Sequence, residues 1–185
     1  MYRASARELS FGPGYRTDHL LLMNFDTSLV HYTDAQSAQF FKDLADRAHE
    51  VPGVVDVSLT TSLPMLNDSL GSETVIPEGY SFPPGKDSAT VFMSRVDERY
   101  FAVMGIPLLG GRNFTVNDNA NAPKVAIVNE QFARRYWPNQ DPIGKRLRTL
   151  DQQEAIEVVG LAKMSKYIFI AESPTQFIYF PYRQK

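Results

Sequence analysis

The stretch Tyr100-Phe101-Ala102-Val103-Met104-Gly105-Ile106-Pro107-Leu108-Leu109-Gly110-Gly111-Arg112-Asn113-Phe114 constrains the fold more than any other part of this 185-residue chain. Asp97 stands just ahead of it as a helix cap. Tyr100, Phe101 and Met104 then share one face at helical spacing. Gly105 supplies the left-handed conformation that ends a helix. An apolar strand starting at Ile106 follows and runs into a turn at Gly110-Gly111-Arg112. The stretch therefore reads as a short buried helix, a glycine stop, a strand and a glycine turn.

The rest of the chain is punctuated in the same way. Residues 1–14 are polar and end in Gly12-Pro13-Gly14, a turn signal that marks a linker entering the domain. Residues 19–25 form a short apolar run and predict a buried strand. Thr33 and Gln36 form a capping-box pattern and Asp34 puts negative charge in the first turn, so a helix is predicted over 33–51. Phe40, Phe41, Leu44, Ala48 and Val51 lie on its apolar stripe, and Pro52-Gly53 ends it. Over 54–61 the pattern alternates: Val55, Val57 and Leu59 point one way, Asp56, Ser58 and Thr60 the other, as in a strand with one wet face. The first third is thus predicted to be strand, helix, strand, with the two strands parallel and room for a third between them.

Residues 64–85, rich in Pro and Gly, read as a long loop with a short strand at Thr74-Val75-Ile76. Residues 89–96, 125–128, 156–161 and 176–180 read as further strands. Asn129 caps a helix that turns Phe132, Ala133, Tyr136 and Trp137 inward and stops at Pro138. Short helices among mostly non-alternating strands point to the α+β class.

Composition narrows the chemistry. The chain is 43% hydrophobic with a net charge of −2, which fits a real core and gives no general attraction to nucleic acid. Cysteine is absent, which excludes thiol catalysis, zinc–thiolate sites and disulfides and is compatible with an oxidising compartment. No apolar run approaches the roughly 20 residues of a membrane-spanning helix, and residues 1–10 do not form a secretory signal.

Several residue groups invite a functional reading, and each has a simpler one. Residues 110–115 have the look of a phosphate loop but lack its lysine and its Ser/Thr ending, so a β-turn is the better reading. His19, His31 and His49 form no metal-ligand pair at helical spacing. Ser62, His49 and Asp68 can be assembled into a Ser-His-Asp set only on paper, since no nucleophile-elbow sequence supports it. Lys124, Arg134, Arg135, Lys145, Arg146 and Arg148, interleaved with Tyr136 and Trp137, make a basic region that suits anionic headgroups or nucleic acid. Asp118, Glu130 and Asp141 offset it, and a solvated surface is favoured. Asp97 and Glu98 diverge on a helix and do not form a carboxylate pair. Tyr80 and Phe82 in the 64–85 loop are where a ligand pocket would be sought. No catalytic, cofactor-binding or metal-binding residue is assigned.

An ordered series of blocks carries a resemblance. They are Val51-Pro52-Gly53-Val54 with residues 58–64; Tyr100-Phe101 with Met104-Gly105-Ile106-Pro107-Leu108 and Gly111-Arg112; residues 125–138; Asp141-Pro142-Ile143-Gly144-Lys145-Arg146-Leu147; Val158-Val159-Gly160; and Ile178-Tyr179-Phe180-Pro181-Tyr182. Together they resemble the MacB-like periplasmic core domain of FtsX/MacB-type ABC-transporter permeases. The segment Gly14-Tyr15-Arg16-Thr17-Asp18-His19-Leu20-Leu21 is most similar to the duplicated permeases of acidobacteria. Ala162-Lys163-Met164 departs from the family, where a small residue and an Asp usually follow the Val-Val-Gly.

The resemblance implies one core domain over 15–185 in two lobes: a porter-like strand-helix-strand lobe and a smaller mixed lobe. It implies that a further strand-helix-strand unit and the transmembrane helices lie outside these residues. It also implies a non-catalytic periplasmic part of an inner-membrane exporter. The partners implied are the permease's own transmembrane helices, an ABC ATPase acting through them, and a second permease copy in a dimer, with no cofactor and no nucleic acid. The alternative is a soluble periplasmic ligand-binding or scaffold domain derived from the same fold.

Overall fold

The computed structural model describes residues 12–65, 70–150 and 154–184. A 3-10 turn at Thr27–Val30 precedes helix α1 (Asp34–His49). Strands β1 (Gly71–Pro77) and β2 (Ala89–Val96) follow, then helix α2 (Tyr100–Met104) and strands β3 (Leu108–Gly111) and β4 (Val125–Asn129). Helix α3 (Glu130–Tyr136) leads to β5 (Arg146–Thr149), β6 (Ile156–Ala162) and β7 (Phe177–Pro181). The fold is α+β, as the sequence predicts.

All seven strands belong to one mixed sheet in the order β3-β6-β4-β7-β2-β1-β5. β5 also pairs with β6 through Arg146↔Glu157 and Leu147↔Ile156, so six strands close into a ring. β3 joins the same edge of β6 farther along, at Gly110↔Leu161 and Gly111↔Gly160. Closure pairs the six strands of the ring with one another, and among the described residues β3 pairs on one side only.

Two apolar clusters lie on the two faces of this ring. On β4, Ala126 and Val128 point to the first cluster, and Val125 and Ile127 to the second. On β7, Ile178 and Phe180 divide from Phe177 and Tyr179 in the same way. Every residue of both strands is buried. Burial on both faces is why these segments read as apolar runs without alternation.

Helix α3 adds Phe132, Ala133, Tyr136 and Trp137 to the first cluster, where β4 ends. The Trp137 indole N–H donates to the Glu78 carbonyl at 2.8 Å, tying this helix to the β1–β2 loop. Helix α2 adds Tyr100, Phe101 and Met104 to the second cluster. Gly105 stops it at φ 65°, as predicted. Gly111, at φ 72°, passes so close to β6 that a Cβ would lie 2.1 Å from the Val159 carbonyl oxygen. Gly111 is therefore part of strand packing, and Gly110-Gly111 closes β3 where the sequence predicts a turn.

The N-terminal third departs from the sequence reading. The capping box of α1 is present as predicted. The segments 19–25 and 54–61 do not form strands; only Thr60 makes an isolated bridge, to Val96. Helix α1 buries no residue, and Leu21 and Val55 are 81% and 91% exposed. A strand needs a partner's backbone on at least one edge, and no described element lies alongside these two segments for their length. The strand at 74–76 extends over 71–77, and β5 was not anticipated.

Candidate functional site

One polar centre is Asn129, fully buried at the junction of β4 and α3. Its Oδ1 accepts from Phe132 N at 2.9 Å, capping α3, and from Phe177 N at 3.1 Å, at the start of β7. Its Nδ2 donates to the Thr175 carbonyl at 2.8 Å and to the Tyr167 hydroxyl at 3.3 Å. The Tyr167 hydroxyl lies 3.1 Å from that of Tyr179, and the Tyr167 ring stacks on Phe177 at 3.9 Å. Burial pushes Tyr167 up to about 12 and Tyr179 well above the ordinary phenol value. Both phenols are neutral at any physiological pH.

Glu172 is the second such centre. Its carboxylate accepts from the N–H groups of Tyr167, Ile168 and Phe169 at 2.8, 2.7 and 3.2 Å. The concavity of backbone donors formed by this loop is filled by the chain's own carboxylate. Gln184 is the third: its side chain bonds to the carbonyls of Asn119 and Pro123 and to Val125 N, fastening the 119–124 loop to β4. The role of Gln184 is not legible in sequence, because its partners lie 59 or more residues away; the partners of Glu172 are only three to five residues away, but in a loop with no recognisable motif.

The residues singled out from the sequence are dispersed. In the 110–115 segment, Arg112 grips Asp118 with two bonds of 2.8 Å, and Thr115 N also donates to Asp118. Burial pushes the Asp118 carboxyl up, but Arg112 and Thr115 outweigh it and hold the carboxyl below the usual range. His19 contacts its neighbour Asp18, His31 sits at φ 55° after the 3-10 turn, and His49 faces Asp56 at 4.0 Å. Ser62 is buried and bonded to Thr60; no described hydrogen bond joins it to His49, and Asp68 lies outside the described residues.

The expected cap at Asp97 is partly corrected. Its carboxylate accepts from Arg99 N ahead of α2, but also from Ser58 Oγ and Leu59 N, across 38 or more residues. Burial raises its pKa in spite of these donors. Glu98 points instead to Arg183.

The basic residues do not form one patch. Arg134 pairs with Glu130 on α3, and Arg135 lies over the Tyr80 ring. Arg146 and Arg148 alternate outward on β5, while Leu147 and Thr149 turn inward. Tyr80 packs edge-on against both Phe82 and Tyr136. A groove of about 200 Å³ is lined by Leu109, Ala133, Trp137 and Leu161. A second cavity, of about 20 Å³ beside Arg95, Lys124 and Gln184, has room for one water-sized group. Both are smaller than the roughly 300 Å³ at which ligand pockets begin. Among the described residues, no buried side-chain nitrogen or oxygen lacks a partner and no three His, Asp or Glu converge as metal ligands. No helix among them is long and apolar enough to cross a membrane.

A single mixed sheet with six of its strands closed into a ring, short docked helices and polar side chains that join its loops defines an α+β domain. The chain belongs to the MacB-like periplasmic core domain family, whose model matches residues 13–185. It is 28% identical over 93 residues to the macrolide export ATP-binding/permease protein MacB of Neisseria gonorrhoeae. It is 34% identical over 97 residues to the MacB of Sodalis glossinidius. These matches take in 50% and 51% of this chain but only 14% of each relative's length.

Among solved structures, the periplasmic region of MacB from Actinobacillus actinomycetemcomitans superposes with a TM-score of 0.54 at 20% identity. That superposition covers 77% of this chain and 55% of that one. The extracellular domain of the noncanonic ABC-type transporter YknZ from Gram-positive bacteria gives a TM-score of 0.52 at 16% identity, covering 96% of this chain and 68% of that one. At these identities the structural likeness concerns the fold.

Proposed function

We propose that this chain is the non-catalytic extracytoplasmic domain of an FtsX/MacB-type ABC permease. It couples ATP hydrolysis on the cytoplasmic side to export, or to extraction of a substrate from the inner membrane. The observation that carries this reading is the family match over residues 13–185, supported by the likeness to two extracytoplasmic domains of ABC transporters. The burial pattern supports it too. Asn129, Asp118, Glu172 and Gln184 bond to their own chain, so among the described residues these conspicuous polar groups hold shape. On this reading the domain sits on the periplasmic side, linked to its own transmembrane helices. It is driven indirectly by an ABC ATPase and pairs with a second permease copy. The cargo is a lipoprotein, lipid, peptide or drug-like molecule.

Because the chain has no cysteine, a Gln39→Cys variant carries one thiol, on exposed α1. Produced with its membrane helices in a cysteine-free permease, that thiol is expected to react with a membrane-impermeant maleimide once the outer membrane is permeabilised. Reaction only after the inner membrane is broken refutes the periplasmic placement. ATP hydrolysis by purified residues 1–185 alone refutes the non-catalytic role.

A further inference from the structure

The N-terminal third is fastened to the rest of the domain at two places. At the first, Arg16 N donates to the Met104 carbonyl at 2.7 Å, Lys166 N to that of Pro13 at 2.8 Å, and Ser165 Oγ to that of Gly14 at 3.2 Å. At the second, residues 58–61 lie against 94–97. Asp97 holds both backbone groups of Leu59: its Oδ2 accepts from Leu59 N at 2.8 Å and its N–H donates to the Leu59 carbonyl at 3.1 Å. Its Oδ1 accepts from Ser58 Oγ at 2.6 Å. Thr61 N donates to the Arg95 carbonyl, and Thr61 Oγ1 accepts from Arg95 N, each at 2.9 Å.

Between these fastenings the chain is nearly self-contained. Among the described residues, the hydrogen bonds of 21–55 close within that stretch, such as Thr27–Ser37, Gln39–Asp43 and Lys42–Asp46. Its first link to the sheet is Asp56, paired with Arg99. The aromatic contacts of Phe40 are with Phe25, Tyr32 and Phe41, all in the same stretch. Helix α1 contributes nothing to either apolar cluster. Independence of the core and attachment through a few polar bonds are the physical conditions for movement as a unit.

We propose that residues 21–55 form an arm that swings as a unit about these two fastenings, and that Asp97 is the latch holding its returning end to the sheet. Pro52-Gly53, with Gly53 at φ 92°, breaks the arm between α1 and the latch. The proposal is independent of the transport reading, since it rests on contacts within residues 13–166.

The test is hydrogen exchange on the 185-residue chain. In the wild type, α1 amides are expected to exchange about a hundred-fold or more faster than those of β4 and β7, the gap between a locally opening unit and a core. Asp97→Ala should speed exchange at the Leu59 and Thr61 amides about ten-fold, the factor that losing a hydrogen bond to a charged group corresponds to. β4 and β7 should stay unchanged. Ser58→Ala, which keeps the carboxylate, should act in the same direction to a smaller degree and decides the matter if Asp97→Ala does not fold. A spin-label pair at Gln39→Cys and Ser72→Cys should give a broad distance distribution that widens further with Ser58→Ala. Protection of α1 equal to that of β4 overturns the proposal. So does exchange at 59–61 that neither variant alters, or loosening of β4 together with the arm.

Discussion

Replacing Asn129 with alanine separates a buried junction from an ordinary helix cap. The substitution removes four bonds at once: those from Phe132 N and Phe177 N, and those to the Thr175 carbonyl and the Tyr167 hydroxyl. Losing an N-cap costs about 1 kcal/mol. Each buried polar group left without a partner costs about 1–3 kcal/mol. Tyr167 keeps Tyr179 as a partner, so Phe177 N and the Thr175 carbonyl are the main further losses. The total expected is about 4 kcal/mol, a large share of the roughly 5–15 kcal/mol of a typical domain.

The control is Thr33→Ala. Thr33 caps α1 with the same geometry, but in solvent, and its loss should cost at most about 1 kcal/mol. Urea unfolding followed by Trp137 fluorescence measures the first. At a slope of about 2 kcal/mol per molar, Asn129→Ala should lower the midpoint by about 2 M. A shift for Asn129→Ala no larger than that for Thr33→Ala would refute the reasoning, because burial would then add nothing to the cap.

Gly160→Ala places a Cβ 2.6 Å from the Arg112 carbonyl oxygen and 2.9 Å from Ile127 Cγ1. It should destabilise by about 2 kcal/mol or more through overpacking; an unchanged melting temperature would show that β3 and β6 can part freely. Ile127→Ala, in the two-faced strand β4, should cost about 2–5 kcal/mol. Phe40→Ala on the half-buried stripe of α1 should cost about 1 kcal/mol of global stability; equal losses in denaturant titrations would contradict the division into core and arm. The Asp118 carboxyl is held below the ordinary carboxylate range in the folded chain. Its stabilising contribution is therefore full above the unfolded pKa, near 4, and is lost as pH falls through the lower folded value. Asp118→Asn should flatten stability against pH below about 4, and an unchanged acid limb would remove Asp118 from the account.

Much of the candidate site was legible only in part. Asn129 was readable as a cap, because Asn before an amphipathic run has a local meaning. That its other side would hold β7 and Tyr167 was not, since those partners lie 38 and 48 residues away. Asp97 is likewise legible as a cap, whereas its bonds to Ser58 and Leu59 come from across the fold. The basic residues looked contiguous in sequence, but the period-2 geometry of β5 and the i,i+4 geometry of α3 sent them to different faces.

Helix α1, the stops at Gly105 and Pro138, and the apolar runs of β2, β4, β6 and β7 followed from sequence alone. A helix satisfies its hydrogen bonds within its own span, and its caps lie next to it in the chain. Whether an extended segment becomes a strand depends on which backbone comes to lie beside it. Residues 54–61 alternate as well as any strand here yet gain only an isolated bridge near their end, Thr60 to Val96, whereas Arg146–Thr149, with a weaker pattern, closes the ring because β1 and β6 flank it.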